Sequence, residues 1–125
     1  MPKRVLDVGN CDPDHASIRR MIEGRFEAAV DRAEKLDDAL VALRSRAYDL
    51  VLVNRKLDID YSDGLAVIQA IKADAALAAT PCMLVTNHAE HQQTAVAAGA
   101  EPGFGKDQLD DEETLRRLSQ FLAEC

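Results

Sequence analysis

Short apolar runs of strand length alternate along this chain with stretches in which apolar residues recur at helical spacing. That alternation is expected of a parallel sheet whose strands are joined by crossover helices. Five strand–helix units are legible. The first strand spans Arg4 to Gly9, and its helix is announced by Asp12 as N-cap, Pro13 at the first helical position and Gly24 as the stop. The second strand, Glu27 to Arg32, is interrupted by charges, but its helix is well marked: Leu36, Ala39, Leu40 and Leu43 fall on one apolar stripe. The third strand, Leu50 to Asn54, is apolar up to its last residue, as a strand covered on both faces should be, and is expected at the centre of the sheet.

A longer loop, Arg55 to Asp63, leads to a helix over Gly64 to Ala73 that buries Leu65, Ile68 and Ile71. Pro81 opens the fourth strand, Cys82 to Thr86, and a fourth helix over Glu90 to Ala98 is ended by Gly99. The fifth strand, Gly103 to Gly105, is short. Asp110 is the predicted cap of the last helix, with Glu113 three residues on and Leu115, Leu118 and Leu122 as its inner stripe. The expectation is an α/β (βα)5 domain over residues 1–125, with no repeat, linker or attached effector domain.

At 125 residues the chain is long enough to bury one core, and 47% apolar with 30% charged residues is a globular balance. A formal charge of -7 argues against direct contact with nucleic acid or an anionic membrane, leaving proteins or small ligands as partners. Only about five mostly apolar residues follow Met1-Pro2-Lys3-Arg4, too few for a signal-peptide core. Cys11, Cys82 and Cys125 are odd in number and far apart, which fits reduced thiols in a cytoplasm better than a disulfide framework or zinc site.

Four local motifs stand in order: Pro13-Asp14-His15 after strand one, Tyr48-Asp49-Leu50-Val51-Leu52-Val53 leading to Asn54, Asp63-Gly64 at the third helix, and Ala98-Gly99-Ala100 followed by Lys106. Their order and spacing resemble the receiver domain of bacterial response regulators, a chemotaxis-type, flavodoxin-like module of two-component signalling and phosphorelay. The resemblance covers nearly the whole chain. It implies a doubly wound five-stranded sheet with strand order 2-1-3-4-5 and a ligand site at the carboxyl edge. In that family an acidic pair after strand one and an aspartate after strand three hold magnesium and accept a phosphoryl group, while a threonine and a lysine contact its oxygens.

Carried over residue by residue, the acceptor position falls on Asn54, the acidic pair on Asn10 and Cys11, and the phosphate contacts on Thr86 and Lys106. An amide has no usable nucleophilic lone pair. Asn10, Cys11 and Asn54 are poor magnesium ligands, even with Asp12 contributing and the Lys56 carbonyl available. Asp12 or Asp7 lies closer to the pocket if strand one carries an insertion. The pocket then carries between about 0 and +1, depending on Asp12, and Lys106 finds a partner in Asn54 or Asp12. The expectation is a pseudo-receiver without enzymatic activity or a metal.

The output side departs too. Gly103 takes the place of the family's switching aromatic, unless a one-residue shift brings Phe104 there, and Asp107 stands in place of a proline. The resemblance implies a signalling protein partner, a histidine kinase or a downstream effector. It also allows a homodimer through the fourth helix, fifth strand and fifth helix, a surface offering Gln92, Gln93, Val96, Glu101 and Pro102.

Two alternatives stay open: a displaced acceptor at Asp58 or Asp60, and a small ligand, such as an anion, held by Lys106 and Thr86. The loop to Asp63-Gly64 is two residues longer than the family's usual one and is a candidate recognition loop. Acidic loop residues are usually solvated, and His88 with His91 reads as a pair of polar side chains facing solvent because no third ligand is near. Cys11 reads as a small filler at a buried strand end.

Overall fold

A computed structural model describes residues 2–123. Five strand–helix units follow one another: β1 (Lys3–Val8), α1 (Asp12–Arg25), β2 (Ala28–Ala33), α2 (Leu36–Ser45), β3 (Leu50–Asn54), α3 (Gly64–Ala73), β4 (Cys82–Val85), α4 (Ala89–Ala97), β5 (Glu101–Phe104) and α5 (Glu112–Leu122). A 3-10 turn, Lys106–Gln108, lies between β5 and α5. The strands form one parallel sheet in the order β2-β1-β3-β4-β5, with β3 in the middle as its unbroken apolar sequence predicts.

Side-chain alternation along the strands divides the core into two layers. Leu6, Val8, Val51, Val53 and Leu84 face α2 and α3, meeting Ala39, Leu43, Ile68 and Ile71. Val5, Leu50, Leu52, Met83 and Phe104 face α1 and α5, meeting Ile18, Ile22, Leu118 and Leu122. Cys82, fully buried in β4, has its thiol pushed up to about 11 by burial.

Several boundaries differ from the sequence expectation. Cys11, not Asp12, is the N-cap of α1, so Asp12 and Pro13 are its first two helical residues. Gly24 does not stop this helix; Phe26, in extended conformation, does. Asp111 rather than Asp110 precedes α5, and no side chain caps it. Gly99 does end α4, with φ +108 and a hydrogen bond from its N–H to the Val96 carbonyl. Cys125 lies outside the described residues.

The loop between β3 and α3 is stapled. Lys56 and Asp63 form an antiparallel bridge, the Leu57 N–H donates to Ser62 and the Asp58 N–H donates to Gly9. Leu57 is fully buried beneath Gly9, whose φ of +79 and lack of a side chain both matter: a Cβ there would lie 2.2 Å from Leu57 Cδ2. The loop is therefore held by one apolar anchor and a short ladder. Leu57→Ala is expected to lower the unfolding free energy by about 3 kcal/mol. Urea denaturation measures it, and a loss below about 1 kcal/mol would show that the loop is held without its anchor.

Candidate functional site

The carboxyl ends of β1, β3, β4 and β5 converge on one edge, where side chains at strand ends and helix starts meet. Asn54 closes β3 there. Its Nδ2 donates to the Lys56 carbonyl at 2.7 Å and to the Gly9 carbonyl at 3.2 Å, so the amide joins the end of β1 to the loop after β3. The Lys56 carbonyl, expected to be available, is thus taken.

Lys106 finds neither Asn54 nor Asp12. Its Nζ lies 2.7 Å from Asp14 Oδ2, and this ammonium, helped by a hydrogen bond from Cys11, holds the Asp14 carboxyl below the usual carboxylate range. Asp12 is on another side of the helix, paired with Arg32 at 2.7 Å. The physical reason is angular: two residues along an α-helix turn about 200°, so Asp12 and Asp14 cannot share a neighbour. Cys11 is not a buried filler; it is partly exposed at the cap.

Asp7 does not reach the edge either. It is fully buried, with Oδ2 2.6 Å from His15 Nδ1 and Oδ1 accepting from Asn10 Nδ2 at 2.5 Å. Burial raises its carboxyl, against the opposing pull of His15 and then Asn10. Asn10 is therefore committed to Asp7, and its own Oδ1 is buried without a partner.

Thr86, just after β4, accepts through Oγ1 from the His88 N–H at 3.3 Å. Asn54, Arg55, Lys56, Thr86, Asn87 and Lys106 line a cavity of about 260 Å³. His88 is exposed, whereas His91 is half-buried and its Nε2 accepts from Arg55 Nε at 3.1 Å, which ties the β3–α3 loop to α4. The donor set does not fit the magnesium ion that the resemblance implies. Amide N–H groups face the carbonyls, Asp14 is held by Lys106, and an amide and a thiol stand at Asn10 and Cys11.

At the far edge of the sheet, β4 and β5 fall out of register between Met83–Glu101 and Val85–Phe104. Gln92 of α4 fills the gap. Its Nε2 donates to the Leu84 carbonyl at 2.8 Å and the Thr86 carbonyl at 3.4 Å, and its Oε1 accepts from the Gly103 N–H at 2.9 Å. A Cβ on Gly103 would lie 2.2 Å from the Leu84 carbonyl oxygen. Phe104 faces the opposite layer, buried with Leu118 and Leu122.

Of the surface residues expected to act together, Gln92, Gln93, Val96 and Pro102 line one shallow, mostly apolar groove with Ala97 and Arg117. Glu101 is half-buried beside it and does not line it. Asp58 and Asp60 do not line the Asn54–Lys106 cavity; Asp60 accepts from the N–H and hydroxyl of Ser62. The sequence names Asp14 in a motif and Gln92 as a surface residue, but not the Asp14–Lys106 pair, the Gln92 bonds to Leu84 and Gly103, or the Arg55–His91 contact.

Because the folded carboxyl of Asp7 is raised above its ordinary value of 3.8, it binds its proton more tightly in the folded state. Its contribution to stability is fully present below that ordinary value and is lost as pH rises through the raised one. Wild type should therefore lose stability relative to Asp7→Asn across that window, whatever the constant offset between them. Paired urea titrations at several pH values read this slope; parallel curves would show that Asp7 ionises as in the unfolded chain.

The family model for the response regulator receiver domain matches residues 12–119. Among solved structures, the chain is similar to a candidate response regulator from Chloroflexus aurantiacus J-10-fl, with a TM-score of 0.85 at 19% identity, covering 99% of this chain and 100% of that one. It is also similar to NtrX from Brucella abortus, with a TM-score of 0.77 at 23% identity, over 96% of this chain but 28% of that one. The chemotaxis response regulator CheY4 of Vibrio cholerae aligns with a TM-score of 0.75 at 17% identity, over 98% of this chain and 100% of that one. At these identities the structures speak for the fold, a flavodoxin-like α/β sheet. The match of the family model over most of the sequence carries the assignment: the chain belongs to the response regulator receiver domains, which are signalling modules.

Proposed function

We propose that this receiver is a pseudo-receiver: it takes no phosphoryl group at Asn54 and signals in the cytoplasm by binding a protein, a kinase or a downstream effector, through α4, β5 and α5. The observation that carries the reading is the Asn54 amide bonded to the Gly9 and Lys56 carbonyls, with neither a nucleophile nor an open cation seat at the end of β3. The Asp14–Lys106 pair supports it, since the lysine is neutralised without any added charge. On the output face, Gln92 takes the space against Gly103 that a mobile ring would need.

The docking groove is lined by the apolar Val96, Ala97 and Pro102 together with Gln92, Gln93 and Arg117. Strand addition at the β5 edge is disfavoured: Pro102 has no N–H, the Gly103 N–H donates to Gln92, and the Gly103 carbonyl accepts from Arg117. The partner, or a second copy in a homodimer, would dock through side chains.

One observation favours a second reading. Arg55, Lys56 and Lys106 line the cavity with Thr86 and Asn87, which suits a small anion held without a covalent bond. Titration with inorganic phosphate, followed by the amide shifts of Thr86 and Lys106, tests it; the pseudo-receiver reading does not require a shift there.

After incubation with acetyl phosphate and magnesium, the intact mass is expected to stay unchanged. An added phosphoryl group that persists in Asn54→Ala would overturn the proposal and point to a displaced acceptor, with Asp58→Asn and Asp60→Asn locating it. Val96→Arg with Pro102→Arg is expected to weaken association by more than about tenfold, in pull-down or size-exclusion experiments, without lowering the melting temperature. Association indifferent to both changes would remove this face from the mechanism.

A further inference from the structure

Strand β2 is one edge of the sheet, and in a parallel ladder alternate residues turn both backbone polar groups to the same side. The Glu27 and Ala33 carbonyls accept from the Lys3 and Gly9 N–H groups at 2.9 Å, so odd-numbered residues of β2 face β1 while Ala28, Val30 and Arg32 face outward. An open row of this kind is a template for another strand. Its middle position is taken: the Val30 N–H donates to Glu23 Oε2, in the last turn of α1, at 3.0 Å. We propose that Glu23 guards this edge, an autoinhibitory contact that holds β2 closed against antiparallel pairing with a second copy of this chain.

Both carboxylate oxygens of the guard are engaged. Oε1 accepts from Arg19 Nε at 3.2 Å, one turn earlier in α1, while Oε2 occupies the place from which an incoming carbonyl oxygen would accept. The Val30 side chain is buried with Ile18 and Ile22, which fixes the direction of its N–H. A charged acceptor bonds more strongly than a peptide carbonyl, and its negative charge repels any carbonyl that approaches. At the start of the strand the Ala28 N–H donates to the Phe26 carbonyl at 3.0 Å. Among the described residues, the third outward N–H, that of Arg32, makes no such bond.

The strand's own register sets the occupant that is kept out. Two copies of β2 laid antiparallel with Val30 facing Val30 would exchange a pair of hydrogen bonds through the N–H that Glu23 holds. Ala28 then faces Arg32 and Ala29 faces Asp31, so no like charges oppose one another. The strand lacks two other common edge breakers: it holds no proline, and its register with β1 runs unbroken from Lys3–Ala28 to Val8–Ala33. The opposite edge supplies an independent parallel. There the Gly103 N–H donates to Gln92 of α4 and the Gly103 carbonyl accepts from Arg117 of α5. Long polar side chains from neighbouring helices thus close both edges.

The test uses the full chain carrying Val96→Arg with Pro102→Arg, so that association through the α4–β5–α5 face does not enter. Light scattering over a concentration series and amide hydrogen exchange are read for this parent, for Glu23→Gln and for Glu23→Ala. A glutamine carbonyl still accepts from Val30, so Glu23→Gln is expected to stay monomeric, as the parent does; Glu23→Ala is expected to dimerise as its concentration rises. In the dilute, monomeric alanine variant the Val30 amide should exchange more than about tenfold faster than in the parent, and dimerisation should slow Val30 and Arg32 together. The proposal is overturned by a Glu23→Ala protein that is monomeric throughout, by equal association of Glu23→Gln, or by association that leaves the Val30 and Arg32 amides unprotected. The parent alone supplies a check that holds even if Glu23→Ala does not fold. After correction for intrinsic rates its Val30 amide should exchange more than about tenfold slower than that of Arg32, and equal rates would show that no guard is in place. None of these outcomes bears on Asn54 or the α4–β5–α5 face.

Discussion

Two backbone carbonyls, from Gly9 after β1 and Lys56 after β3, point toward one place at the carboxyl edge of the sheet, and the Asn54 amide donates to both. Converging carbonyl oxygens repel an unneutralised carboxylate and attract either a cation or a donor. An N–H₂ group supplies the donor internally, at a net gain of roughly 1 kcal/mol per hydrogen bond. The geometry of the neighbouring loop follows from this junction. Gly9 also accepts from the Asp58 N–H, and Leu57 packs beneath Gly9, so the same few atoms that close the pocket set the direction of the loop.

The order of elements was legible because periodicity reports burial. The apolar run of β3 marks the middle of the sheet, and the α2 stripe marks one face of a helix. Cap positions were less legible. The cap falls on Cys11 and not Asp12, a difference of one residue or about 100° of helix, and the lysine's partner is Asp14, two residues beyond the Asp12 expected. No local pattern could reveal Gln92, because its role depends on a register slip between two strands distant from it in sequence. Asn54 was readable because a polar residue ending a buried run has few places to go.

The β4–β5 slip illustrates how a fold absorbs an imperfection. Pro102 cannot donate to the ladder, and Gly103 is too close to the Leu84 carbonyl to carry a side chain. The long carboxamide of Gln92 restores the missing rung from a helix whose packing is otherwise thin, with Ala95 its one buried residue. That one side chain bonds three backbone groups: the Leu84 carbonyl in β4, the Thr86 carbonyl just after it and the Gly103 N–H in β5.

Cys82 and Cys11 differ sharply in setting although both are thiols near the sheet. Cys11 stands partly exposed at a helix start, while Cys82 lies inside the sheet with its ionisation suppressed. Only the thiolate reacts with alkylating reagents, so modification of Cys82 must wait for the strands around it to part. The molecule thus carries an internal chronometer: the rate at which this sulfur is captured reports how often its central layer comes undone.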